Sequence, residues 1–94
     1  MPYIHRFDRE VLDNKIDELM AELDGVGDDD IIAGRLNYII SSLAWRLCGH
    51  NEQGERRYAR MNTVLGAMEA AKLEFYRRIV VPYENEKIQE NGDV

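Results

Sequence analysis

Proline occurs in this chain only at positions 2 and 82. Between them the apolar residues recur at intervals of three and four. This combination constrains the fold more than any other feature. A long stretch without proline leaves helices unbroken, and the spacing gathers the apolar side chains on one helix face. The first run is Val11, Leu12, Ile16, Leu19, Met20 and Leu23. It predicts a helix over 8–23 with Asp8 as its cap, Phe7 and Leu12 as a hydrophobic staple, and Gly25 and Gly27 as its stop. The second run is Ile32, Leu36, Ile39, Ile40, Leu43 and Leu47. It predicts a helix over 31–48, preceded by Asp28-Asp29-Asp30, whose carboxylates suit the positive end of the helix dipole. The third is Tyr58, Met61, Leu65, Met68, Phe75 and Ile79, a helix over 55–81 that Pro82 is expected to end. Residues 83–94 read as an acidic polar tail with at most a weak helical turn. Ile79-Val80-Val81 is β-branched, but no comparable segment exists to pair with it. The expected fold is all-α: one domain over 1–94, a three-helix up-down-up bundle with a long third helix.

Composition narrows the function classes. The chain has 94 residues and a net charge of −6, with 45% apolar residues. That balance excludes a disordered tail and a fibrous repeat. A chain this short buries only about 60–65% of its unfolded surface, so its stability is marginal unless something adds to it. Cys48 is the single cysteine, which excludes disulfides and cysteine-built metal clusters. No run approaches the roughly 18 apolar residues of a membrane helix, and Met1 to Arg6 holds no signal-like apolar segment. A cytoplasmic protein is expected. Its acidity disfavours nucleic acid and anionic lipid as partners.

Two features do not fit a bare bundle. The third helix is expected to overhang the other two by about 15 Å, leaving Phe75, Tyr76, Ile79 and Val80 to be covered. The second helix carries another stripe, Ile31, Tyr38 and Trp45, spaced by seven and flanked by Gly34 and Ser41. A helix that is apolar on two sides is buried on two sides. The cover is a second copy of the chain, the N-terminal Tyr3-Ile4 or the tail folding back, or a foreign partner. The expected contact surface is Ile31, Tyr38, Trp45, Phe75, Tyr76 and Ile79, and a homo-oligomer, with a dimer as first choice, is the expected state.

Charge is unevenly spread. Residues 55–81 hold six arginines and lysines against three glutamates, a net +3, which leaves −9 elsewhere. Arg56, Arg57 and Arg60 oppose the dipole of the helix they begin. In the bundle they would lie near Asp8, Glu10 and Asp13, with Arg77 and Arg78 near Asp24 and Asp28–Asp30. Read as a functional feature, the arginines form a patch for phosphate or an acidic partner. Glu69, among alanines, is a candidate polar contact to Asn37 or an arginine.

No constellation for chemistry is complete. Cys48 and His50 adjoin, but zinc needs four ligands, or three and a water. Glu10-x-x-Asp13 has the spacing of a helical Mg²⁺ motif. The only E-x-x-E, Glu52 to Glu55, sits in a loop, and Glu69 and Glu74 do not share a helix face. No nucleophile and base are paired, and no glycine loop follows a strand. No catalytic residue, metal ligand or cofactor is assigned, and the chain is expected not to be an enzyme.

Several segments together resemble a known family: Met1-Pro2-Tyr3-Ile4, Leu36-Asn37-Tyr38-Ile39-Ile40, Lys72-Leu73-Glu74-Phe75-Tyr76-Arg77-Arg78, Pro82-Tyr83-Glu84, and Lys87 through Asn91-Gly92-Asp93-Val94. They resemble a family of small uncharacterised phage and bacterial proteins, a domain of unknown function. The resemblance implies a full-length small protein of phage or prophage origin and brings no activity. The leading expectation is a small helical homo-oligomerising interaction protein. The alternatives are an Mg-dependent helical nucleotide hydrolase assembled across an oligomer, and a nucleic-acid accessory using the third helix's arginines.

Overall fold

A computed structural model describes residues 4–24, 27–49 and 53–94. The protein is all-α, with three helices and no strand among the described residues. Backbone contacts gather it into two units, Met1–Leu47 and Cys48–Val94.

The first unit holds α1 (Arg6–Asp24) and α2 (Asp29–Cys48). α1 begins two residues before the expected start, because the His5 carbonyl accepts the first helical bond, from the Arg9 N–H at 3.1 Å. Asp8 is therefore not the cap. It sits in the first turn, where a carboxylate still favours the dipole. Phe7 is inside the same turn and exposed, so the expected staple with Leu12 is not formed. The next helix start is built as an N-cap. Gly27 takes φ +72°, a conformation that only glycine adopts without strain. The Asp28 carboxylate then accepts the Asp30 N–H at 2.9 Å, and the Asp28 carbonyl accepts the Ile32 N–H at 3.0 Å.

A charged hydrogen bond joins α1 to α2. The Arg35 guanidinium donates to the Glu22 carbonyl at 2.7 Å. Carbonyls in a last turn lack intrahelical donors, and α1 has no basic residue of its own there. Arg35 thus supplies from α2 the positive charge that the end of α1 lacks.

The second unit is built on one helix. α3 (Tyr58–Phe75), a π-helical segment (Tyr76–Val80) and α4 (Val81–Asn91) follow without a break, giving a long helix of 34 residues. Its length is about 50 Å at 1.5 Å per residue. It starts three residues later than expected, after Arg57 in an extended conformation (φ −88°, ψ 120°).

Pro82 does not end this helix, and residues 83–91 are helical rather than a tail. The reason is local. In an α-helix Pro82 would lose its bond to the Arg78 carbonyl and press its ring against it. The wider π turn just before Pro82 relieves that conflict: Val81 donates to the Tyr76 carbonyl, five residues back. Pro82 then follows as the second residue of α4, directly after that turn. Gly92, at φ +87°, is where the helix stops, with its N–H on the Ile88 carbonyl at 2.8 Å.

Candidate interaction surface

No described side chain is buried within the chain. Each helix therefore still presents the apolar face its sequence pattern defines. On α2, Tyr38 is 70% exposed and Trp45 68%, and Ile31 lies open one heptad before them. Residues seven apart on a helix line up nearly along its axis, so the three form one open strip. Tyr38 and Trp45 share a shallow groove of about 310 Å³ with Ser41, Ser42 and Arg46. The Ser41 hydroxyl, on the border of this groove, donates to the Asn37 side-chain oxygen at 3.2 Å.

Tyr38 also lines a second pocket, one that sequence reasoning missed. Its walls are Leu19 and Leu23 of α1 and Gly34, Arg35 and Ile39 of α2, with a volume of about 370 Å³. A Cβ placed on Gly34 would meet nothing within 4 Å, so this side of α2 is open. Arg35, which lines the pocket, also reaches across it to the Glu22 carbonyl. An arginine within an apolar run, 13 residues from its acceptor, is the only signal in the sequence, and it does not name that acceptor.

On the long helix, Phe75 closes α3 at 61% exposed, and Tyr76 and Ile79 follow it in the π segment, also exposed. The π segment takes up an extra residue per turn, so the face after it is rotated relative to the face before it. The stripe from Tyr58 through Met61, Leu65 and Met68 therefore does not continue in simple register to Tyr83 and Ile88.

Acidic and basic side chains pair locally within each unit. Glu69 pairs with Lys72 at 3.6 Å. Arg77 and Arg78 both turn to Glu74, at 3.1 and 3.8 Å. Glu10 is paired with Arg6 at 3.8 Å. Arg56 is half-buried beside the start of α3, Arg57 caps it, and Arg60 lies in its first turn. The pairs of Glu10, Glu69 and Glu74 link residues three or four apart on one helix, a pairing worth about 0.2–0.5 kcal/mol each.

For chemistry the arrangement offers little. Among the described residues no group of three or more His, Cys, Asp or Glu is placed to hold a metal ion. Cys48 is a half-buried free thiol at the end of α2. His50 and Glu52, together with Tyr3 and Gly25, lie outside the described residues. No described helix is long and apolar enough to cross a membrane.

These observations define a class: a small all-helical protein whose apolar residues are displayed on open helix faces rather than enclosed. The chain belongs to a family that matches it over residues 1–94, described as a domain of unknown function (DUF6899). No curated protein and no solved structure matches it.

Proposed function

We propose that the chain is a non-enzymatic interaction protein that assembles with copies of itself. One observation carries this reading: the large apolar side chains of α2 and of the long helix are exposed while no described side chain is buried. Exposed aromatic strips of this kind mark protein contacts, and a lone helix is marginal in water until its apolar face is covered. Ile31, Tyr38 and Trp45 form one contact strip, and Phe75, Tyr76 and Ile79 belong to another. The family resemblance adds a phage or prophage origin, and the single cysteine adds the reducing environment of a cytoplasm. Light scattering across a concentration series tests the assembly. A mass above 10.9 kDa that rises with concentration is expected, and Trp45→Ala weakens it. A strict monomer at high micromolar concentration overturns the reading.

A further inference from the structure

The long helix carries charges of the wrong sign at both of its ends. Its first turn holds no acidic residue, and Arg56, Arg57 and Arg60 cluster in sequence at its start, with Glu55 beside them. Its last turn holds no basic residue, and residues 83–94 set Glu84, Glu86, Glu90 and Asp93 against Lys87 alone. Helix dipoles favour anions at the N-terminus and cations at the C-terminus. This helix inverts both preferences, so it is positive at its positive end and negative at its negative end.

We infer that the long helix pairs with the long helix of a second copy, antiparallel, about a two-fold axis near its middle. This rests on the self-assembly proposed above and specifies its geometry. Antiparallel pairing brings each copy's N-terminal arginines beside the partner's C-terminal carboxylates. Each inverted end is then compensated by the opposite one. Parallel pairing would stack arginines on arginines and carboxylates on carboxylates, which is unfavourable. Length points to the same occupant. α1 has 19 residues and α2 has 20, whereas the long helix has 34. Neither α1 nor α2 is long enough to reach from one charged end of the long helix to the other, whereas a second long helix is. A two-fold pairing is also closed, because the same face serves both copies.

Two measurements on the full chain test this separately from self-assembly. In a Cys48→Ser background, a spin label at Ala59→Cys is expected to lie about 45 Å from its counterpart, and a label at Ala71→Cys under about 25 Å, given 1.5 Å per residue and an 8–10 Å interaxial distance. Two short distances mean a parallel pair and overturn the inference while leaving self-assembly standing. A complex with two long distances, formed through α2 alone, does the same. A monomer overturns both. The second measurement reverses charge. Arg57→Glu with Arg60→Glu is expected to raise the dissociation constant at least about tenfold, with helicity by circular dichroism unchanged. Adding Glu86→Arg and Glu90→Arg in the same chain restores it. Failure of the restoration, with both variants folded, overturns the antiparallel pairing.

Discussion

The two halves of the molecule meet a helix-breaking residue in different ways. Before α2 the chain stops and restarts: Gly27 adopts φ +72° and Asp28 caps the new helix with its carboxylate. At the far end of the long helix the chain reaches Pro82 and continues, because a π turn has widened the backbone just ahead of it. The first break is made by a backbone conformation and a cap together. The second residue lacks a donor but, with room for its ring, breaks nothing. A residue's reputation as a breaker therefore depends on the turn that precedes it.

The largest effect should come from a proline without that preparation. Ala67 is exposed in the middle of α3. Ala67→Pro removes one helical bond and sets the ring against the Thr63 carbonyl, a cost of about 3 kcal/mol or more. A clear loss of helicity and melting temperature is expected, whereas Pro82→Ala should lose none. Should Ala67→Pro unfold the chain no more easily than Pro82→Ala does, the π turn is not what spares the long helix.

Next in size is the joint itself. Gly27→Ala forces a side chain into a left-handed conformation, a cost of roughly 1–2 kcal/mol, although space around the new Cβ is open. Gly34→Ala is the control. It lies within α2, also with nothing near its Cβ, and should raise stability by about 0.5–1 kcal/mol. Denaturant midpoints for the two variants should therefore move in opposite directions. Shifts in the same direction would break the contrast between a glycine that turns the chain and one that does not.

The same contrast shows what could be read from residue order. The all-α class, the three helices and the open strip Ile31, Tyr38 and Trp45 are written in periodicity, because 3.6-residue spacing is a local property. The continuation past Pro82 is not. It depends on a bond from Val81 back to Tyr76, a register choice among near-equal alternatives that apolar spacing does not encode. The start of α1 shifted for a related reason: Asp8 looks like a cap by type, but the His5 carbonyl takes the first bond and needs no side chain. The pocket around Tyr38 was hidden because Arg35 and Glu22 come together only once the chain has turned.

That cross-helix bond is the third test. The Arg35 guanidinium serves the end of α1 at 2.7 Å, from 13 residues away. Arg35→Met keeps the stem and removes the donor. A loss of about 1 kcal/mol is expected, in the range for a single hydrogen bond at a solvent-reached site. Amide exchange should quicken at the end of α1 and stay unchanged at the Asp28 cap. Equal acceleration at both places would mean that the joint melts as one piece and that Arg35 has no separate role.

The smallest effect belongs to Glu74, and it probes the other side of the comparison, the turn that leads into the π segment. Its side chain is 26% exposed and is shared by Arg77 at 3.1 Å and Arg78 at 3.8 Å. Both arginines lie inside the π segment, and the carboxylate sits one residue before the end of α3. One carboxylate holding two cations limits their repulsion where consecutive arginines would otherwise favour fraying. Pairs this close to water contribute about 0.3–0.5 kcal/mol and weaken as salt rises. Glu74→Gln should therefore lower the melting temperature only slightly at low ionic strength and not at all near 1 M salt, where the Debye length falls to about 3 Å. A large loss that persists in high salt would mean that the π segment depends on Glu74 for its geometry. Pro82 would then no longer suffice as its cause.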